Sequence, residues 1–386
     1  MAERGVRSPF SILHIISNLD TGGAEMMLYR LLSILDRKRF EPEVISLTGI
    51  GPVGKRIERL GVPVLALNMR RNLPNPFDFF GLARWCRRSK ADIVQTWMYH
   101  ADLLGLLASR LVDKPKLIWT IRSSDIPFNR YRRQTGLLAK LCATLSSIPD
   151  AVVANSNAGI LHHRRLGYTP KQMHFIPNGF DVESFRPDSA ARLAVRRELG
   201  LTEDTLVIGL VARWDFLKDH ATFVAAAAVI ARQHANSRFL LVGRGIEWAT
   251  VELAALIRVA GLQDRVILLG ERDDIPRLTA AFDIACSSSI TEGFPTTIGE
   301  AMACSVPCVV TDVGDAAAII GDTGRVVPAG DSGAFAQACQ ELIGLGPDGR
   351  RDLGRKGRGR IIDKYALSTI VRQYEELYTS LVTESN

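Results

Sequence analysis

Two carboxylates, Glu292 and Glu300, bracket seven uncharged residues in the stretch TEGFPTTIGE, residues 291–300. Gly293, Phe294, Pro295 and Thr296 lie between them, and Pro295 before an apolar run predicts a helix starting near Thr296. Such a helix end aims free N–H groups and a positive dipole at whatever sits over residues 293–297, which suits an anion such as phosphate. Glu292 then lies in the loop beside that point. Glu300 lies about one turn inside, displaced by ~6–8 Å at 1.5 Å per residue. Carboxylates repel phosphate but accept hydrogen bonds from hydroxyls. Two of them flanking a diphosphate would suit a sugar on one side and a ribose on the other, so the spacing fits a nucleotide sugar laid across a helix N-terminus. A surface loop followed by a solvated helical glutamate is the plain alternative.

Cations of the right kind occur upstream. In GLVARWDFLKDH, residues 209–220, Arg213 ends a strand-like run and Lys218 comes five residues later. Both can converge on one point above a sheet, a planar fork for one phosphate and a point charge for the other. A solvated arginine and lysine would have the same spacing. DTGGAE, residues 20–25, follows the first strand-like run and opens a helix, so Gly22 and Gly23 leave its backbone N–H groups open to a ligand. It is neither the GxGxxG of dinucleotide binding nor a Walker motif, and two glycines also make an ordinary turn. Gly243 stands at a further strand end in LVGRGIEW, and the polar loop 271–274, with Arg272, is suited to holding a base through its backbone or to serving only as a connection.

These residues need a scaffold that brings strand ends together. Apolar runs such as SILHIISNL, ADIVQTW, KLIWTIR, TLVIGLVAR and VPCVVTD alternate with helical stretches in both halves of the chain, with a polar interval over 178–204. That rhythm predicts two doubly wound α/β domains with parallel sheets, whose ligands bind beyond the carboxyl ends of the strands. The expected boundaries are 1–178, 179–368 and a last helix, about 370–382, within 369–386. A chain of 386 residues, 47% apolar and 23% charged, supports two such cores. No apolar run reaches the ~18–20 residues that span a bilayer. The six cysteines form no CxxC pair, so neither a metal site nor a disulfide framework is expected, and a reducing cytoplasmic setting fits.

Charge is uneven. Residues 1–178 hold 26 Lys+Arg against 13 Asp+Glu, and residues 179–386 hold 22 against 28, so +13 and −6 sum to the net +7. A basic first half predicts an anionic partner. FNRYRRQTGLLAKLCATL, residues 128–145, interleaves Arg130, Arg132, Arg133 and Lys140 with Tyr131, Leu137, Leu138 and Leu141, and Arg84, Arg87, Arg88 and Lys90 form a second basic cluster. Both fit an anionic membrane surface, or a solvated helix with its leucines on the core. No nucleic-acid motif or aromatic-lined basic groove occurs, so no specific nucleic acid is expected.

TGGAE, DIVQTWMYHADLLG (92–105), IPNGFD (176–181), Arg213 with Lys218 and Glu292 with Glu300, in that order along the chain, resemble the retaining nucleotide-sugar glycosyltransferases of family 4 over essentially the whole chain. The resemblance implies the GT-B fold, with two Rossmann-like domains facing across a cleft. It implies that Arg213 and Lys218 hold the diphosphate and stabilise the leaving group, that Glu292 binds sugar hydroxyls and Glu300 the ribose. It puts Gly23 against the donor and His100 facing the sugar, Asn178 and Gly179 at the domain junction, and the last helix back on the first domain. It further implies a UDP-, GDP- or ADP-sugar donor and a glycan or lipid-linked acceptor; with no DxD motif, no metal or other cofactor is expected, and the basic clusters lead to the expectation of a cytoplasmic enzyme peripheral on the inner face of the membrane. A sugar-nucleotide epimerase of the same fold and a non-catalytic binding protein are the competing readings.

Overall fold

The computed structural model describes residues 9–69, 76–112, 115–122 and 133–383. They form two compact units, Met1–Gly179 with Leu367–Asn386, and Phe180–Ala366. Among the described residues, the first unit has strands β1 (Phe10–Ile16), β2 (Phe40–Ser46), β3 (Val64–Ala66), β4 (Ile93–Trp97), β5 (Lys116–Ile121), β6 (Ala151–Ala154) and β7 (Met173–Phe175). They pair in parallel in the order β3-β2-β1-β4-β5-β6-β7. Its helices are α1 (Gly23–Ile34), α2 (Gly51–Glu58), α3 (Pro76–Ser89), α4 (Tyr99–Ser109), α5 (Arg133–Leu145) and α6 (Asn157–Arg165).

The second unit opens with α7 (Ser189–Glu198) and alternates β8 (Leu206–Val211), α8 (His220–Gln233), β9 (Ser237–Val242), α9 (Val251–Val259), β10 (Val266–Leu268), α10 (Ile275–Ala280), β11 (Ile284–Ser287) and α11 (Thr296–Ala303). It continues through β12 (Cys308–Thr311), α12 (Ala316–Ile320), β13 (Arg325–Val327), α13 (Ser332–Gly344) and α14 (Gly346–Tyr365). The strands are again parallel, in the order β10-β9-β8-β11-β12-β13. A final helix, α15 (Leu367–Thr383), belongs to the first unit.

The central strands are buried over most of their length on both sides instead of alternating, because helices cover both faces of each sheet. In the first unit Ile12 and Ile16 point to one core with Leu28, Leu31, Tyr374 and Tyr378, and Leu13 and Ile15 to the other with Leu106 and Trp119. In the second, Ile208 and Phe239 face α8 and α13, while Val207 and Leu240 face α11 and Ile361. Winding reverses between β1 and β4 and between β8 and β11. These are the switch points beyond which open α/β sheets bind ligands.

Four sequence expectations shift. The boundaries fall at 179/180 and 366/367, because Phe180 is fully buried in the second core, stacked 6.1 Å from Phe294, whereas Leu367 packs in the first. The polar interval 178–204 contains α7, which Asp188 caps through the Ala191 N–H (2.8 Å). The C-terminal stretch is two helices broken where Ala366 turns to ψ 139°, so the last one starts at Leu367 instead of about 370. Arg213 lies two residues past the end of β8.

Candidate active site

At the switch point of the second unit, the loops after β8 and β11 are stitched together. Asp215 opens a 3-10 turn, Phe216–Lys218, by accepting from the Leu217 N–H at 2.9 Å. Asp219 follows with φ 44°, a left-handed conformation that costs a non-glycine residue, and its carboxylate caps α8 through the Thr222 N–H and hydroxyl at 3.2 and 2.6 Å. From the other loop, the Ser288 hydroxyl donates to the Lys218 and Asp219 carbonyls at 3.0 and 2.9 Å, and the Ile290 N–H donates to the Leu217 carbonyl at 2.8 Å.

These ties bring Lys218 and Glu292 together. Lys218 Nζ donates to Glu292 Oε1 at 2.5 Å, and the Ser289 hydroxyl donates to the same oxygen at 2.8 Å. The lysine side chain is 21% exposed and the glutamate 15%, so the pair is mostly dry yet open on one side. Arg213 is held separately: its Nε and Nη2 donate to Asp215 Oδ2 at 3.1 and 2.9 Å. The two cations expected to converge therefore each rest on a carboxylate, Arg213 on Asp215 and Lys218 on Glu292.

Helix α11 starts at Thr296 with Pro295 as N-cap, as the sequence predicts, and Glu300 is buried in its second turn. The helix is pressed against the core by Gly299, where a Cβ would stand 2.0 Å from the Phe180 ring. Phe294 also points inward, packed on Phe180 and Tyr365, so only the backbone of this expected donor residue is available to a ligand. Gly314, at φ +57°, backs the loop: a Cβ there would lie 2.2 Å from the Glu292 carbonyl, and the Asp315 N–H bonds the Gly293 carbonyl at 3.0 Å. Gly243 plays the same part behind Arg213, because at φ +148° its missing Cβ leaves room for the Ala212 carbonyl, 2.3 Å from where that atom would be. Arg272 is engaged elsewhere, in a network with Asp274, Glu198 and Arg277. Its fork onto Asp274, both bonds at 2.8 Å, holds that carboxyl down to about 2.

In the first unit, Gly22 and Gly23 lie at the start of α1, but the room Gly22 makes is filled. A Cβ on it would meet Glu25 Oε2 at 2.3 Å, so the glutamate folds back over the helix end. Glu25 is buried, and desolvation raises its pKa. His100 is exposed in the first turn of α4, and desolvation lowers its pKa. Met98, just before it, holds φ 73° and ψ 156°, a region otherwise left to glycine and a mark of strain that concentrates at functional positions. Arg122, one residue past β5, donates to Asn178 Oδ1 at 2.6 Å and stacks over Trp97, which ties the Asn178 turn to the strand ends. Among the described residues no group of three or more His, Cys, Asp or Glu side chains is placed to hold a metal ion, and no helix is long and apolar enough to cross a membrane.

Two family profiles match this chain, Glycosyltransferase Family 4 over residues 21–184 and Glycosyl transferases group 1 over residues 205–344, so that between them they take in most of both units. The chain belongs to the group 1, family 4 glycosyltransferases. The N-acetyl-alpha-D-glucosaminyl L-malate synthase of Bacillus anthracis is 26% identical to this glycosyltransferase over 307 residues, 78% of either chain. The UDP-Gal:alpha-D-GlcNAc-diphosphoundecaprenol alpha-1,3-galactosyltransferase of Escherichia coli is 24% identical, over 98% of this chain and 99% of its own. HepE of Anabaena, solved in complex with UDP, superposes with a TM-score of 0.84 at 23% identity, over 96% of this chain and all of that one. The architecture of the glycosyltransferase is thus GT-B, with two Rossmann-like domains. Three groups at the site escaped the sequence reading. Asp215 carried one signal, its i,i+2 spacing to Leu217; Ser288 stood in a serine run, and Gly314 carried none.

Proposed function

We propose that this glycosyltransferase is retaining and metal-independent, and that it moves a sugar from a nucleotide-diphosphate sugar to a glycan or lipid-linked acceptor in cell-surface polysaccharide or glycoconjugate biosynthesis. The observation that carries the proposal is the Lys218–Glu292 pair beside the start of α11, with Arg213 in the loop after β8. The names of its relatives support the substrate classes. The Escherichia coli enzyme is named for a UDP-Gal donor and a diphosphoundecaprenol-linked acceptor, and HepE has been solved with UDP-glucose.

Charge developing on the departing diphosphate would be met by Arg213, Lys218 and the free N–H groups of α11, fixed before the reaction by the bonds described above. The glycosidic C–O bond breaks with its electron pair going to the diphosphate. The acceptor hydroxyl attacks from the same face, and its proton passes to the leaving phosphate oxygen. Glu292 then acts as a hydroxyl acceptor and not as a nucleophile, in keeping with an oxygen already shared by Lys218 and Ser289. Glu300 takes the ribose, Gly23, beside which a Cβ would meet nothing within 4 Å, admits the donor backbone-first, the loop of Arg272 borders the base, and His100 meets the sugar. A thermal-shift panel of UDP-, GDP- and ADP-sugars tests this reading. Stabilisation by one nucleotide class is expected, and stabilisation by none would end it.

The basic first unit supports a place on the inner face of the cytoplasmic membrane. Leu137 and Leu141 of α5 are 72% and 44% exposed beside Lys140, and Phe80 of α3 is 64% exposed on the helix that carries Arg84, Arg87 and Arg88. Arg130, Tyr131 and Arg132 lie outside the described residues. Sedimentation with vesicles containing anionic lipid, and none with neutral vesicles, is the expected result; no binding to either would remove the membrane from the account.

A further inference from the structure

Asp215 touches both halves of the cation pair. One oxygen accepts from Arg213 Nε and Nη2 at 3.1 and 2.9 Å. The other accepts from the Leu217 N–H at 2.9 Å, and the Asp215 carbonyl accepts from the Lys218 N–H at 3.0 Å, so the same residue closes the turn that presents Lys218. Burial raises its carboxyl, but the Leu217 N–H, Arg213 and Lys218 outweigh burial and hold it below the ordinary aspartate value. Together with Glu292 on Lys218, this gives two carboxylates facing two cations. A diphosphate entering that arrangement meets guanidinium and ammonium groups already aimed, with much of their charge already balanced.

We propose that Asp215 is the positioning residue of the diphosphate clamp. It aims Arg213 through one carboxylate oxygen and presents Lys218 through the turn that its other oxygen and its carbonyl close, and it limits their net charge so that the nucleoside diphosphate product is released. The inference rests on the clamp reading above. A carboxylate ~6 Å from a bound diphosphate, at an effective dielectric constant of ~40, weakens binding by a factor of about ten or more. Fixing a guanidinium in line with the leaving group contributes to the transition state, where small misplacements cost up to about a hundredfold.

Asp215→Asn removes the charge and the Arg213 contact while keeping the turn, since its amide oxygen still caps Leu217 and its amide nitrogen offers Arg213 no acceptor. Asp215→Ser keeps a shorter capping oxygen and serves if the first variant folds poorly. The probe is whichever of UDP, GDP and ADP raises the parent's Tm most. Its Kd is measured by calorimetry, and turnover by its release from the matching sugar nucleotide. The expected result is turnover at least tenfold lower, Kd for the nucleoside diphosphate about tenfold tighter and Tm within about 2 °C of the parent. Turnover within twofold of the parent, or reduced turnover with unchanged or weaker binding, overturns the role of Asp215. Arg213→Ala is the control: if that variant keeps parental binding and turnover, or if no nucleoside diphosphate binds the parent, the clamp reading itself fails. Loss in Arg213→Ala alongside parental Asp215→Asn removes only the present inference.

Discussion

Replacing Lys218 by alanine removes a cation that is mostly buried, 2.5 Å from its acid. Two separate costs follow. In the free protein Glu292 loses its counter-ion but keeps the Ser289 hydroxyl, so its carboxylate remains partly satisfied. Exposed pairs contribute about 0–1 kcal/mol, and breaking a fully buried one costs about 3–5. With exposures of 21% and 15%, a loss of about 1–2 kcal/mol is expected, a fall in Tm of roughly 2–8 °C at the ~2–4 °C per kcal/mol of domains this size. In the transition state the variant loses one preorganised charge on the departing diphosphate, which at about 3–4 kcal/mol lowers kcat by about 10²–10³-fold. The assay is release of nucleoside diphosphate from the preferred donor, run beside a calorimetric Tm. The signature is a large kinetic loss in a folded protein. A variant within threefold of the parent in kcat would refute the role given to Lys218, and one that fails to fold would show that the pair is structural.

Three further outcomes follow from packing and titration. Gly299→Ala drives a Cβ to 2.0 Å from the buried Phe180 ring, so overpacking should cost about 1–3 kcal/mol, read as a lower Tm. Gly314→Ala places a Cβ 2.2 Å from the Glu292 carbonyl at a left-handed φ of 57°. It should displace residues 292–293 and cut kcat/KM for the donor by about 10–100-fold, and an unchanged value would detach that loop from the site. Asp102 is fully buried with one oxygen on the Thr96 hydroxyl, and desolvation pushes its carboxyl up to about 7. Because its folded pKa is raised, the stability from the neutral acid is complete below the unfolded value near 4 and is lost as pH rises to about 7. Asp102→Asn should flatten that part of the stability–pH curve, removing a slope of up to about 1.4 kcal/mol per pH unit, and a curve that keeps its slope would assign it to other groups.

The strand-helix rhythm was legible because parallel strands covered on both faces must be apolar end to end, and a run such as FSILHII fits little besides a buried strand. The start of α11 was legible from Pro295, since proline at a helix start is a local matter. What failed was tertiary. Helix α7 hid in a polar interval because it contributes Arg196, 1% exposed, which is buried only by virtue of Asp283 and four backbone carbonyls. No local pattern distinguishes that arginine from a solvated one. Phe294 read as a site residue by its neighbours, yet its ring belongs to the core with Phe180, more than a hundred residues away. The cations were found by type and spacing, but their acid partners depend on loops that only the folded sheet brings into register. For the same reason the turn glycine Gly22 read as an opening for a ligand, when Glu25 fills it.

The most direct test is a crystal structure of the protein with the nucleoside diphosphate it binds best. The account predicts the diphosphate between Arg213, Lys218 and the N–H groups at Thr296, with Lys218 drawn off Glu292 toward a phosphate oxygen and the ribose hydroxyls on Glu300. A diphosphate bound elsewhere, with Lys218 still paired to Glu292 and Glu300 untouched, would contradict it.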